Sequence, residues 1–147
     1  MRLALAEAEE ALAKGEVPIG AVVVSKGRVI GRGHNLTETL TDVTAHAEMQ
    51  ALTAASNTLG GKYLPDCTIY VTVEPCTMCA GALGWSHIRR IVYGTPDEKR
   101  GYFSRSTSCR NGAGQGDAIH PKTIVESGLL EDECRELMLE FFRKLRN

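Results

Sequence analysis

The chain has 147 residues, 43% hydrophobic and 24% charged, with a formal net charge of −1. That length suits one ordinary domain, which buries roughly 68–70% of its unfolded surface and so needs neither disulfide nor metal to hold a core. The composition excludes a wholly disordered chain, a globally basic nucleic-acid binder and, with no apolar stretch near ~20 residues, a membrane span.

In chain order, residues 2–14 place Leu5, Ala8 and Leu12 on one helical face and stop at Gly15, which predicts a first helix. Acidic residues scattered through MRLALAEAEEALAKG argue against a signal peptide. Ile19 to Val24 is an apolar, β-branched run; Ser25-Lys26-Gly27-Arg28 and then Val29-Ile30 complete a β-hairpin. Asp42 and Thr44 are candidate N-caps for a helix running through His46 to about Asn57. Thr68 to Val73 reads as a strand that stops at Glu74-Pro75. A helix is expected from Pro75, with that proline near the first position and Cys76 in the first turn. Ile91 to Tyr93 is a further strand, and 104–118, with Gly112, Gly114 and Gly116, reads as a loop. Lys122 to Val125 is the last expected strand. Leu129 to Arg146 forms an amphipathic helix with Leu130, Cys134, Leu137, Met138, Phe141 and Leu145 inward.

Strands separated by helices imply parallel pairing with helices on both faces of one sheet. The expectation is a three-layer α/β/α domain spanning 1–147, with a mixed sheet of about five strands whose antiparallel part is the hairpin.

Five cysteines stand at 67, 76, 79, 109 and 134. An odd number does not fit a disulfide framework, so a reducing cytoplasm is the expected compartment. Cys76 and Cys79 form Cys-x-x-Cys, which brings two soft sulfurs to one ion from one helical turn. Alone, the pair also suits a redox motif or half of a zinc ribbon. The other three cysteines are isolated, so a four-thiolate structural site has no second half. His46 as third ligand leaves a position for water, which is the catalytic rather than the structural arrangement. Glu48 is then the acid that can carry a proton. His46 and Glu48 are two residues apart, and they face different sides of a regular helix. They serve one ion only if the helix starts there and the ion lies beyond its end, where the helix dipole favours thiolate.

Charge is uneven along the chain. Six basic residues (Arg89, Arg90, Lys99, Arg100, Arg105, Arg110) face two acids between 89 and 110, and six acids face one base between 126 and 140. A solvated mixed surface is the plain reading; a phosphate patch, with the basic end Arg143, Lys144, Arg146, is the sharper one.

His-x-Glu followed by Pro-Cys-x-x-Cys matches the signature of zinc nucleobase deaminases. Together with EVPIGAVVV (16–24), GHN (33–35), TAHAE (44–48), YVTVEPCTMCAGAL (70–83) and ECRELMLEFFR (133–143), the chain resembles the bacterial tRNA-specific adenosine deaminases of the cytidine/deoxycytidylate deaminase superfamily. The likeness covers most of the chain and implies a cytidine deaminase-like fold. It implies one zinc per chain on His46, Cys76 and Cys79, with Glu48 as proton shuttle. It also places Asn35 on the purine, Pro18 and Ile19 on the pocket wall, and Asp97 near the neighbouring ribose. The reaction so implied is adenosine to inosine at the tRNA wobble position, by a cytoplasmic homodimer that grips the anticodon arm. Val43 stands where that pattern often has proline, and SRSTSCRNGAGQGD (104–117) has no counterpart in it. A deaminase of free guanine, cytosine or nucleosides would use the same four residues, and a non-catalytic zinc-stabilised module is a third reading. Glu48 speaks against the third.

Overall fold

The computed structural model describes residues 1–106 and 116–147. Its elements are α1 (Arg2–Ala13), β1 (Gly20–Ser25), β2 (Arg28–His34), α2 (Ala47–Leu59), β3 (Cys67–Val73), α3 (Thr77–Ser86), β4 (Arg90–Thr95), α4 (Tyr102–Arg105), β5 (Ile124–Ser127) and α5 (Glu131–Arg146). The five strands lie in the order β2-β1-β3-β4-β5. β1 is antiparallel to both β2 and β3, whereas β3–β4 and β4–β5 are parallel. The mixed α/β/α sandwich is thus present, with more antiparallel pairing than the hairpin alone supplies. The reason is that β2 and β3 run the same way with β1 wedged between them, so the β2–α2–β3 crossover passes over β1.

The hairpin turns on two residues. Lys26 and Gly27 both have positive φ, 50° and 75°, the pattern of a type I′ turn that matches strand twist. One helical layer consists of α1 and α5, which touch each other and pack on β1 and β4; the other consists of α2 and α3. Strand alternation divides the residues between them. Ala21, Val23, Ile69, Val71 and Ile91 join Ala47, Ala51, Leu52, Ala55, Ala80 and Leu83 in the main core. On the other face, Ala4, Ala8 and Ala11 bring α1 close enough that a Cβ on Gly20 would lie 2.1 Å from the Ala4 carbonyl oxygen.

A similar contact ties the sheet to α2. A Cβ on Gly33 would sit 2.5 Å from the Ala47 carbonyl oxygen and 2.7 Å from the Ala51 nitrogen. These are backbone atoms, so relief requires moving the helix itself. Gly33→Ala is expected to cost about 1–3 kcal/mol by overpacking, measured as a lower denaturation midpoint.

Several elements depart from the sequence reading. The helix expected from Pro75 starts at Thr77, because Cys76 holds extended angles (φ −75°, ψ 175°) as its N-cap. His46, not Asp42 or Thr44, caps α2; the Asp42 carboxylate is spent on the Thr44 N–H and hydroxyl instead. The last strand lies two residues later than expected. Of the six side chains expected inward on α5, only Cys134 is buried, and Leu145 is 66% exposed. This helix packs on β3, β4 and α1; its 16 residues run about 24 Å whereas the six-residue β4 runs about 20 Å, so its last turn outruns the sheet. The loop expected over 104–118 begins as α4, and Cys109, Arg110, Gly112 and Gly114 lie outside the described residues.

Candidate active site at two helix starts

Since β2 and β3 run parallel, α2 and α3 both begin beyond the same edge of the sheet, where open α/β sheets place ligands. His46 and Cys76 are the N-caps of these helices, and neither spends its side chain on capping. Their carbonyls still accept the first helical bonds, from Gln50 N–H at 3.1 Å and Ala80 N–H at 2.8 Å. The side chains therefore project past the helix ends. This resolves the spacing problem of His46 and Glu48: one residue lies before the helix and the other in its first turn.

His46 Nδ1 lies 3.6 Å from Cys76 Sγ and 3.5 Å from Cys79 Sγ. All three donor atoms fall within 4.8 Å of one another. A tetrahedral ion with Zn–S of about 2.3 Å and Zn–N of about 2.05 Å separates such donors by about 3.6 Å, so the trio has the spacing zinc requires. Glu48 is 3% exposed beside them. Burial pushes its carboxyl up to about 7, with the Cys76 charge adding to the effect. Cys79, and then His46, hold the Cys76 thiol down to about 4, while Cys76 and burial push Cys79 up. The two sulfurs thus share one negative charge opposite His46, whose own pKa the Cys76 contact raises. A metal ion bound here would displace the protons of Cys79 and His46.

The trio opens into a cavity of about 510 Å³ lined by Ile19, Asn35, Glu48 and Asp97, among others. Of the pocket-wall pair, Ile19 lines this space, but Pro18 is fully buried and Val17 takes its place. The Ile19 N–H donates to the Val17 carbonyl at 2.8 Å, a three-residue turn with Pro18 at its centre. Asn35 Oδ1 accepts the Thr37 N–H at 3.3 Å, which fixes its amide. Asp97 Oδ1 accepts the Lys99 and Arg100 N–H groups, both at 3.1 Å.

Among the described residues, the basic run does not gather at this mouth. Arg90 pairs with Thr68 at the start of β3, five residues before Val73, so it lies about 16 Å from the site end of the strand. It is also held by Glu126 at 2.7 Å. Arg143 and Lys144 pair with Glu136 and Glu140. They end a helix whose first turn carries Glu131, Asp132 and Glu133, the charge order a helix dipole favours. Among the described residues, Arg100 is the basic side chain lining the cavity.

Two buried carboxylates escaped the sequence reading, because a lone Glu ahead of Val or Pro carries no spacing signal. Glu16 is 1% exposed and accepts the Glu38 N–H at 3.1 Å and the Thr39 N–H at 2.7 Å. Glu74 is 4% exposed and accepts the Asp97 N–H at 3.0 Å, the Ser104 N–H at 2.8 Å and the Ser104 hydroxyl. Burial alone would raise the Glu16 carboxyl, but the Thr39 and Glu38 hydrogen bonds outweigh it and hold the group below its ordinary 4.5. A carboxyl lowered in the folded state contributes stability that is present above its unfolded value and fades as pH falls through the folded one. Glu16→Gln is therefore expected to flatten the fall in stability below about pH 4.5, read from denaturant midpoints across acid pH.

Residues 1–146 match the family model of MafB19-like deaminases. The chain is 45% identical over 153 residues to the tRNA-specific adenosine deaminase of Agrobacterium fabrum strain C58, covering 99% of this chain and 93% of that one. A solved structure from work on A-to-I editing by tRNA:A34 deaminases at the wobble position superposes with a TM-score of 0.83 at 46% identity, over 93% and 96% of the two chains. The guanine deaminase of Nitrosomonas europaea superposes at 0.76 with 26% identity, over 95% and 79%. With its helix-start trio, its buried Glu48 and this likeness along nearly its whole length, the chain belongs to the MafB19-like deaminases, in the tRNA-specific adenosine deaminase branch.

Proposed function

We propose that the protein hydrolyses adenosine to inosine at the wobble position of tRNA, using one zinc held by His46, Cys76 and Cys79. The observation that carries this reading is the trio at 3.5–3.6 Å with Glu48 buried beside it, in a cavity open to a base. When bound, zinc supplies a Lewis acid that acidifies a water at neutral pH. Glu48, with a carboxyl near 7 and buried beside the trio, is the group placed to hold a proton there and to pass it to the departing amine. The bond from purine C6 to oxygen forms, the bond from C6 to nitrogen breaks, and ammonia leaves. Asn35 holds the purine, Ile19 and Val17 wall it, and Asp97 and Arg100 meet the adjoining nucleotide. A wobble base in an anticodon loop is unpaired, so drawing it into such a pocket is cheap. The partners in this reading are the anticodon arm and a second copy of the chain, working in the cytoplasm. Among the described residues, no helix is long and apolar enough to cross a membrane.

The test is to incubate the zinc-loaded protein with an adenosine-bearing anticodon stem-loop, adenosine, cytidine and guanine, and to assay each deaminated product. Inosine in the stem-loop is the expected result. Efficient guanine or cytidine turnover without RNA deamination replaces this reading with the free-base one. Stem-loop affinity is expected to fall with salt, with a log–log slope of about −0.7 per phosphate neutralised, and Arg100→Glu to flatten it.

A further inference from the structure

Each of the two buried carboxylates stands directly ahead of a segment that builds the cavity. Glu16 precedes Val17 and Ile19 on the wall; Glu74 precedes Pro75 and the ligand Cys76. Each binds the backbone of a different rim. Glu16 collects the N–H groups of Glu38 and Thr39, in the loop that brings Thr37 and Val43 to the cavity. Glu74 collects those of Asp97 and Ser104, in the segment that brings Asp97 and Arg100. Gly101 shows how closely the second rim is drawn in, since a Cβ there would lie 2.2 Å from the Glu74 carboxyl carbon. The Tyr102 N–H also donates to the Pro75 carbonyl at 2.9 Å, and Cys76 bridges to Gly101. Every hydrogen-bond partner of these carboxylates is a donor: four backbone amides, joined by the hydroxyls of Ser104 and Thr39.

We propose that Glu16 and Glu74 are positioning residues: two buried carboxylates that brace the opposite rims of the cavity and set the gap through which a nucleotide enters. They touch no reacting atom in this arrangement. Their effect is exerted through Thr37 and Val43 on one side and Asp97 and Arg100 on the other. The inference rests on the deaminase reading for its substrate and on the hydrogen bonds for its geometry. A carboxamide has nearly the same shape but turns an NH₂ toward one of the donors, so it unmakes the brace without opening a void. Fixed rims lower the ordering cost of binding, so loosening them weakens substrate capture more than the chemical step.

The experiment uses zinc-loaded Glu74→Gln and Glu16→Gln, each measured for zinc content, for kcat and KM on the stem-loop, and for amide exchange by NMR. Expected are unchanged zinc, a KM raised on the order of tenfold for one lost bond to a charged group, and a smaller change in kcat. Exchange should quicken at Asp97 and Ser104 in the first variant, and at Glu38 and Thr39 in the second. Ser104→Thr, which keeps the hydroxyl, should stay near the parent, while Ser104→Ala moves toward Glu74→Gln. Glu16 lies on a segment separate from the metal ligands, so its variant stands as a test even if Glu74→Gln folds poorly. Unchanged KM with unchanged exchange overturns the proposal, as does a loss of activity that merely tracks lost zinc. If the parent protein fails to deaminate the stem-loop, the substrate reading falls instead; exchange at the four amides still judges the braces.

Discussion

Glu48→Ala is expected to keep its zinc and to lose turnover by roughly 10²–10⁴-fold, the usual worth of general acid–base catalysis. The separation of the two effects follows from the geometry. Glu48 is not one of the three clustered donors, which belong to His46, Cys76 and Cys79. It is buried at 3% exposure, and burial places its carboxyl near 7, where it can both take and release a proton around neutrality. Alanine leaves the donor spacing alone and removes the proton carrier. Elemental analysis beside steady-state rates decides the matter, and a variant with near-parent turnover removes Glu48 from the mechanism. Glu48→Gln should be equally slow, since the amide fills the space but cannot shuttle a proton.

Cys79→Ser is expected to abolish zinc binding and with it all measurable activity. Cys79 is wholly buried in the first turn of α3, 3.5 Å from His46 Nδ1. A serine hydroxyl is a harder and far less acidic donor than a thiol, so it does not replace thiolate on zinc. The loss extends beyond the metal. With a donor missing, the metal no longer ties the start of α2 to the start of α3, and a lower melting temperature and poorer solubility should accompany the lost zinc. The same fall in melting temperature should follow chelation of the parent protein. A Cys79→Ser protein that retains one zinc per chain would show that the trio is not the metal site.

Much of this is legible in the sequence, for definite reasons. The ligand residues sit where chain direction changes, and such places advertise themselves: Val73 ends a strand, Pro75 stops the pairing, and Cys-x-x-Cys spans one helical turn. The demand that His46 and Glu48 serve one ion required a helix start at that point, and α2 does start at Ala47. What escaped depends on contacts between distant segments. Nothing near Glu74 in sequence reveals that its oxygens meet Ser104, 30 residues on. A run of like charges says nothing about which end of a strand Arg90 occupies, and a parallel sheet makes that difference decisive for its distance from the site. Leu145 has the right helical phase for burial, but phase does not tell where the sheet beneath it ends.

The crossover that skips β1 also bears on how the chain reaches its native state. The hairpin of β1 and β2 closes through two residues, and such hairpins form in about 1–10 μs. Seating β3 against β1 pairs Ala21 with Val71, with the whole of α2 in the intervening chain. That closure is entropically the dearer step, and non-local pairings of this kind slow folding. His46 and Cys76 approach each other only when it is complete, 30 residues apart along the chain. A ribosome must therefore release at least β3 and the first turn of α3 before a metal can find its three donors, and a nascent chain that stops short of Cys76 offers only His46 of the three.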